Sequence, residues 1–421
     1  MPANSVTAMP LHRFYKWELL GLLFLAFFFY FADRAIFGVV LSAIRDDLKL
    51  TDAQLGLVNT VMFFALALCM PVAGYVGDRF NRKAVITASL IFWSAATMVT
   101  GLANGMIALI IFRSLATAGS ESFYSPPAYS LLGSFHRETR AFAMSVHQSA
   151  VYIGVMTSGF LGGAIAERFG WRAAFYVFGG VGILLGVVFL ARLKDAPRER
   201  GLAEATIGPL QALTILFRVP TAVLLAVGFM AIVFVNNAYV TWAPRLLQDK
   251  FGLPMTQAGG YAMFFHHITA LAAVLLGGHL SDRWVRRNPN ARLQMMTVAM
   301  LAGAPMILAL GLMPTAVGVY VAMALFGLCR GLYECNTHAA LFDVIEPRFR
   351  GSAVAIQVMV GFVIGSASPA LLGWFSDRFG SARGLALGFS AFSTVYVLGG
   401  LAVAAALLWT ARRDRIQEVA A

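Results

Sequence analysis

The sequence predicts an all-α membrane protein with twelve spanning helices in two six-helix lobes. Three observations support this fold class: the composition, the number of long apolar runs, and a repeat of the first half of the chain in the second. Hydrophobic residues make up 59% of the 421 residues and charged residues 12%, whereas soluble domains average about 25% charged residues. With a mean hydropathy of +0.75, the chain is expected to lie mostly in lipid.

Twelve apolar runs are separated by charged residues or by Pro and Gly. As helices, they are long enough to cross a hydrocarbon layer about 30 Å thick. The first run is too long for the core of a signal peptide and lacks a small-residue cleavage site, so we expect it to be retained. The runs cover residues 18–43, 53–76, 84–103, 106–132, 140–165, 172–191, 219–247, 257–280, 293–312, 316–342, 351–375 and 384–410.

The longest polar stretch between runs separates the sixth from the seventh. We therefore expect an N-terminal lobe at 1–192, a cytoplasmic linker at 193–218 and a C-terminal lobe at 219–421. Lys and Arg are concentrated in the loops on the same side as the N-terminus, and such loops usually face the cytoplasm. This bias predicts that both chain ends lie inside the cell. The same loops explain the net charge of +12 without a nucleic-acid partner.

The second half of the chain repeats the first at several positions. Residues 74–83, GYVGDRFNRK, recur as GHLSDRWVRR at 278–287. Residues 167–170, ERFG, recur as DRFG at 377–380. Parallel repeats of six spans are typical of two-lobed transporters whose binding site lies between the lobes.

Two adjacent charges, Asp33 and Arg34, lie near the middle of the first run. A charge at the bilayer centre costs about 2.5–3.5 kcal/mol on insertion scales, so such residues usually serve a function. Desolvation favours the neutral form of Asp33 and a nearby Arg favours its charged form, which makes it a candidate proton site. A permanent structural ion pair is the alternative. The repeat places Asn236 and Asn237 opposite this pair.

Neighbouring residues on a helix point about 100° apart, so Arg34 does not pair with Asp33. It needs another acid or an anionic substrate. Glu121 in the fourth run is the candidate acid and the second candidate proton site. Arg113 lies about 80° around the same helix from Glu121, so we expect it to steer an anion or to pair with another helix.

Further residues complete the candidate substrate site. Arg330 and Glu334 are spaced to pair on one helix face, either as a structural bridge or as part of the site. Tyr30 and Phe37 share a helix face with Asp33 and are expected to line a cavity, whereas most neighbouring Phe residues are expected to pack in the core or face lipid. The candidate substrate-binding residues are Arg34, Arg113, Tyr30, Phe37, Tyr124, His147, Asn236, Asn237, Arg330 and Glu334; His266, His267, His338 and Gln148 are further candidates for hydrogen bonding.

The repeated loop at 74–83 and 278–287 resembles the signature loop of the major facilitator superfamily. Within this superfamily, the sequence is most similar to the Spinster-type group. The residues that carry this similarity are Asp33-Arg34, GSESFYSPPAYSLL at 119–132 and GWRAAF at 170–175. The resemblance implies the major facilitator fold and secondary transport by alternating access. It implies a lysolipid-like or sphingoid-phosphate cargo; a small organic anion is the alternative, because organic-anion symporters share some of these features.

The resemblance also assigns roles to individual residues. The family places its acid seven residues after the fourth-span Arg, whereas Glu121 lies one residue further from Arg113. A local helix bulge would absorb the extra residue. The family's signature loop stabilises the outward-facing state, which implies gating roles for Asp78, Arg79, Arg82, Asp282, Arg283 and Arg286.

Several functional classes find no support in the sequence. It has no GxxxxGK[ST] loop, no HExxH motif and no Cys cluster, so we expect no ATP drive, metal, cofactor or enzymatic activity. We expect a multi-pass, monomeric protein of the inner membrane that binds a small anionic or amphipathic solute, with proton-coupled transport. A non-transporting sensor with the same fold is an alternative of another class, and a membrane-embedded enzyme is a third.

Overall fold

The computed structural model describes residues 14–136, 138–195 and 209–416. Within these ranges a few side chains are not described, among them that of Asp78. Within this part, twelve helices are long and apolar enough to span a membrane, as predicted. The short helices Leu41–Leu48 and Pro209–Arg218 lie outside the spans. The spanning helices are α1 (Tyr15–Val39), α2 (Asp52–Gly77), α3 (Arg82–Thr100), α4 (Met106–Phe135), α5 (Phe142–Phe169), α6 (Trp171–Arg192), α7 (Pro220–Phe251), α8 (Met255–Val285), α9 (Ala291–Leu312), α10 (Ala316–Phe342), α11 (Pro347–Phe379) and α12 (Ser381–Asp414).

Local sequence signals set several helix ends. Thr51 precedes α2 in a capping box: its side chain accepts a bond from the Gln54 N–H, and the Gln54 side chain accepts one from the Thr51 N–H. Asn81 caps α3 in a similar way, accepting from the N–H of residue 84 over 2.9 Å. Gly170 and Gly380 have φ values of 83° and 85°, a region that favours glycine. They allow the sharp turns from α5 to α6 and from α11 to α12.

Helices α1–α6 and α7–α12 form two similar halves, which we call the N-half and the C-half. In the N-half, α1 packs along α5 and α3 along α6; in the C-half, α7 packs along α11 and α9 along α12. The halves meet where α2 packs on α11, α5 on α8 and α1 on α7. The sequence repeat therefore corresponds to a repeat in packing.

The halves touch at the end of the bundle where α1 finishes and α2 begins, which we call the closed end. A Cβ atom on Gly56 of α2 would lie 2.3 Å from the carbonyl oxygen of Pro369 on α11, so only glycine allows the two backbones to come this close. Nearby, the Asn59 side-chain amide on α2 donates to the Thr241 hydroxyl on α7 over 2.9 Å. These contacts close the path between the halves.

The opposite end, where α1 begins and α12 finishes, is the open end. A second cavity of about 440 Å³ extends toward it, between Pro71 and Pro126 of the N-half and Ser352 and Ala355 of the C-half. The predicted linker joins the halves here: residues 209–218 form the short helix before α7, while 196–208 lie outside the described residues.

Candidate functional site

A cavity of about 410 Å³ lies between the two halves. Its walls come from α1, α2, α4 and α5 on one side and from α7, α8, α10 and α11 on the other. Most of the lining is aromatic or aliphatic, and a few polar groups project into it. The polar lining residues include Arg34, Tyr129, Gln148, Asn236, Asn237, His267, Arg330 and Glu334.

Arg34 is the charged group of the N-half wall. Its side chain is 9% exposed, and its Nε donates to Glu121 Oε2 over 2.8 Å. Its Nη2 donates to the hydroxyl of Tyr30, and its guanidinium carbon lies 4.2 Å from the centre of the Tyr30 ring. The acid expected as the partner of Arg34 is therefore the one it contacts, and the carboxylate and the tyrosine together hold the guanidinium at the cavity wall.

Glu121 is fully buried behind Arg34, with its Oε1 lacking a hydrogen-bond partner among the described residues. The preceding part of α4, Leu109–Ala116, is a π-helix, which accommodates one residue more per turn than an α-helix. This is the bulge expected from the spacing between Arg113 and Glu121. It turns Glu121 toward α1, where Arg34 lies.

Asp33 lies behind the cavity wall and does not line the cavity, contrary to expectation, although Tyr30 on the same helix face does. It is 1% exposed and accepts a hydrogen bond of 3.2 Å from Thr97 of α3. Because successive residues are rotated by about 100°, the cavity-facing side of α1 contains Phe27, Tyr30, Phe31 and Arg34, and Asp33 points into the N-half.

Arg113 is also buried, at 1% exposure. Its Nη2 donates to the backbone carbonyl of Arg34 over 3.1 Å, and its guanidinium lies over the Phe37 ring at 5.5 Å. It therefore binds another helix, one of the two roles considered for it. Asp33 Oδ1 and Arg113 Nε and Nη1 lack hydrogen-bond partners among the described residues, and unpaired buried polar groups of this kind are rare.

Three other candidates lie behind the cavity lining. Phe37 is fully buried beneath Arg113, contrary to the expectation that it lines the cavity. The Tyr124 hydroxyl donates to the carbonyl of Leu23 over 2.8 Å and lies 3.2 Å from His147 Nε2. His147 stacks on Phe27, with ring centres 4.2 Å apart. These residues support the wall from within the N-half, while Tyr30 reaches the cavity as expected.

The C-half wall contains a second ion pair. Arg330 and Glu334 approach to 3.3 Å on α10, and Arg330 also lies 3.3 Å from the imidazole of His266. The Glu334 side chain is 42% exposed and accepts a bond of 3.3 Å from Tyr152 of α5. This bond joins the two halves across the cavity. Asn236 and Asn237 of α7 also line the cavity on the C-half side.

Sequence reasoning did not assign cavity positions to several residues. Tyr129 lines the cavity and donates to Gln148 over 2.8 Å, and Phe27 and Phe31 share the cavity-facing side of α1 with Arg34. Phe31 and Phe27 lie three and seven residues before Arg34. If the helix face had been counted from Arg34 and not from Asp33, this spacing would have identified both phenylalanines.

The predicted gating residues lie at the open end. Arg79 donates to Tyr75 over 3.0 Å, and the Arg82 backbone N–H donates to Asp195 over 3.0 Å. Asp282 lies 3.3 Å from Arg292, which also binds Asp343 at 2.9 Å.

Of the remaining gating residues, Arg283 and Arg286 form no ion pair among the described residues. Arg283 and Arg286 are exposed, and the side chain of Asp78 lies outside the described part. The contacts named for Arg79, Arg82 and Asp282 each stay within one half, in keeping with the separation of the halves at this end.

Comparison with known proteins places the chain in a family. The profile of the Major Facilitator Superfamily matches residues 23–369. Protein spinster homolog 1 of Bos taurus is 30% identical over 376 residues, which cover 83% of this chain and 70% of the relative. The hexuronate transporter of Bacillus subtilis (strain 168) is 25% identical over 397 residues, covering 91% and 92% of the two chains.

A solved structure supports the fold independently of these relatives. The crystal structure of a bacterial homolog of the human lysosomal transporter Spinster, inward-facing and unoccupied, superposes with a TM-score of 0.85 at 22% identity. The match covers 97% of this chain and 100% of the other. The chain therefore belongs to the Major Facilitator Superfamily, in its Spinster-type group, whose members are secondary transporters that move small solutes by alternating access.

Proposed function

We propose that the protein carries a small anionic or amphipathic solute across the inner membrane, coupled to protons, and that Arg34 binds the anionic group. The observation that carries this proposal is the position of Arg34, whose guanidinium lines the central cavity while Glu121 and Tyr30 hold it from behind. A fixed guanidinium is well suited to bind a carboxylate or phosphate through charge-assisted hydrogen bonds.

The lining around Arg34 supports an amphipathic cargo. Phe31, Val155, Phe229 and Val233 line the cavity close to the polar groups. A cargo with an anionic head and an apolar part would place the head at Arg34 and bury the rest against these side chains. A lysolipid-like molecule fits this description. A small organic anion remains the alternative, and the name of the hexuronate transporter among the relatives supports it.

Glu121 and Asp33 are the proposed proton sites. Ionised Glu121 holds Arg34 through a charged hydrogen bond; a proton on Glu121 removes the negative charge and leaves the guanidinium to an anion. Binding of a proton and binding of the solute then favour each other, which is the coupling a symporter needs. Asp33, with one oxygen unpaired, lies beside Arg34 in the chain and would share this proton.

The proposed cycle moves two lobes, residues 1–192 and 219–421, about the linker 193–218. In the present state the halves touch at the closed end and separate at the open end. When the open end closes, Asp78, Arg79, Arg82, Asp282, Arg283 and Arg286 would form bridges that hold it shut. We propose that one chain completes this cycle as a monomer.

Proteoliposome flux tests the proposal. The probes are a fluorescent lysophosphatidate and radiolabelled glucuronate, each measured with and without a pH gradient. We expect lysophosphatidate flux that depends on the gradient and falls by about tenfold or more in Arg34→Gln/Glu121→Gln, because the cavity then lacks its fixed charge. Replacing both residues by glutamine avoids an unpaired buried carboxylate.

The control is Arg412→Ala, which removes an exposed arginine from α12 and should leave the flux unchanged. Glucuronate flux in place of lysophosphatidate flux would favour the organic-anion symporter. A probe that raises the unfolding temperature of the protein but gives no flux would favour the non-transporting sensor. Unchanged flux in the double variant would contradict the role of Arg34.

A further inference from the structure

At the closed end, a carboxylate of the N-half binds the first turn of a C-half helix. Glu167, near the end of α5, accepts a hydrogen bond of 2.7 Å from the backbone N–H of Thr256. Its second oxygen accepts another of 2.7 Å from the Thr256 hydroxyl. Thr256 is the second residue of α8, and N–H groups of the first turn have no partner within their own helix. Glu167 supplies that partner from the opposite half.

The reverse contact lies on the other side of the same interface. Asp377, near the end of α11, accepts bonds of 3.0 Å and 2.8 Å from the backbone N–H groups of Asp52 and Ala53. These two residues begin α2. A carboxylate at a helix N-terminus also interacts favourably with the helix dipole. Each half therefore caps a helix of the other half with an acid.

The two caps are related by the internal repeat of the chain. Glu167 belongs to ERFG and Asp377 to the equivalent DRFG, and both motifs end at a glycine with positive φ, Gly170 and Gly380. The turn at each glycine ends the fifth or eleventh helix soon after its acid. The repeat thus places an acceptor at both the α5–α8 and the α11–α2 contacts.

One of the two contacts has an additional ion pair. Arg245 of α7 lies 2.8 Å from Asp52, and both side chains are almost fully buried. The hydroxyl of Ser376, next to Asp377, donates to the same carboxylate over 2.5 Å. At the position of the α8 contact that corresponds to Asp52 stands Met255, which has no charge. The α2–α11 side therefore provides more polar contacts than the α5–α8 side.

We propose that Glu167 and Asp377 are a paired latch for the closed end, and that the transport cycle must release both caps before the cavity can open there. The caps join opposite halves, so they exist only while the halves touch at this end. A contact made in one access state and lost in the other shifts the equilibrium between the two states. The inference rests on alternating access by this family and does not depend on the proposed cargo.

Spin-label distances test the latch without any substrate. Labels at Asp46 and Arg383, exposed positions of the N-half and the C-half near the closed end, report their separation by pulsed electron resonance in nanodiscs. Cys69, Cys329 and Cys335 are replaced by alanine first.

Loss of one helix cap changes an equilibrium about fivefold. We therefore expect the ratio of long to short distances to rise about fivefold in Glu167→Ala or Asp377→Ala, and about 25-fold in the double variant.

Matched controls are Arg168→Ala and Arg378→Ala. These residues follow the two acids directly, are exposed, and make no hydrogen bond among the described residues. Their distance distributions should match the parent protein. An unchanged distribution in the folded double alanine variant, or an equal change in the controls, would overturn the proposal.

A second pair of variants covers the case in which the double alanine protein does not fold. Glu167→Gln/Asp377→Asn keeps an oxygen acceptor at each cap and removes both charges, so it perturbs the interface less. We expect a rise in long distances that is smaller than with alanine but larger than in the controls. A distribution identical to that of the parent would count against a charge-assisted latch.

Discussion

Arg34 of α1 donates from Nε to Oε2 of Glu121 on α4 over 2.8 Å, and the carboxylate is fully buried. The pair joins two helices of the N-half directly behind the cavity wall. A buried ion pair contributes little compared with a well-packed apolar pair, but removal of one partner leaves an uncompensated charge. The pair can therefore be tested for stability and for transport separately.

Arg34→Gln should destabilise the protein by about 3 kcal/mol, because Glu121 is left as an unpaired buried charge. Arg34→Gln/Glu121→Gln should recover most of this loss, since both charges are then absent. Thermal unfolding in detergent measures the difference. Equal destabilisation in the single and double variants would show that the two side chains do not act as a pair.

Asp33→Asn should remove the stimulation of lysophosphatidate uptake by a pH gradient. The amide keeps an oxygen to accept the bond from Thr97 but cannot release a proton at physiological pH. Exchange of labelled for unlabelled solute at equal pH should persist, because it needs no net proton movement. Thr97→Val serves as a companion variant that removes the hydrogen bond and keeps the acid. Uptake that still follows the pH gradient in Asp33→Asn would eliminate Asp33 as a coupling residue.

Gly56→Ala should destabilise the protein by about 1–3 kcal/mol, as overpacking usually does. The new methyl group would meet the Pro369 carbonyl oxygen at 2.3 Å and push α2 away from α11. The control is Gly74→Ala on the same helix, where a Cβ meets nothing within 4 Å and helix propensity favours alanine by up to about 1 kcal/mol. Unfolding temperatures compare the two variants, and equal values would argue against close packing at Gly56.

The carboxyl of Asp47, which lies outside the spanning helices, is expected to make the stability of the protein depend on pH. Asp47 lies in the short helix Leu41–Leu48, and a hydrogen bond from the Arg172 guanidinium lowers the pKa of its carboxyl below the ordinary 3.8. The indole of Trp171 donates to the same oxygen over 3.2 Å. Because the folded pKa is the lower one, the interaction stabilises the fold above the unfolded pKa. That stability is lost as pH falls through the folded value.

Asp47→Asn should therefore cost at most about 1 kcal/mol at neutral pH, the usual size of an exposed ion pair. The difference from the parent protein should shrink as pH falls below the unfolded pKa and vanish below the lowered folded pKa, where the carboxyl is protonated in both folded and unfolded chains. Unfolding temperature measured against pH gives the comparison. Asp46→Asn, at the exposed neighbouring position, is the control, and a similar effect there would indicate a general charge effect.

The spans could be predicted from the sequence because lipid imposes a length and a composition on each helix. The bond between Arg34 and Glu121 could be expected as well, since two charges in adjacent apolar helices need partners. The division of roles between Asp33 and Arg34 could not. Adjacent residues differ by about 100° on a helix, and only the packing of α1 in the assembled bundle decides which one faces the cavity.

Contacts between the halves were beyond prediction for a different reason. Glu167 and Thr256 belong to different halves and meet only when the bundle assembles. In a sequence, an acid followed by an arginine near a loop is typical of a solvated surface, where ion pairs contribute little. The repeat of ERFG as DRFG was visible in the sequence, but its meaning depends on which helix each motif touches.

The π-helix Leu109–Ala116 affects how this chain aligns with related chains that differ in length by one residue. A wide turn takes up one extra residue without changing the direction in which later residues point. A relative with one residue fewer in this segment, wound as a regular α-helix, would present the same face of α4 to the cavity. Insertion or deletion of a single residue here is therefore a change that a spanning helix can tolerate, and an alignment of such chains needs a gap within the membrane, between Arg113 and Glu121.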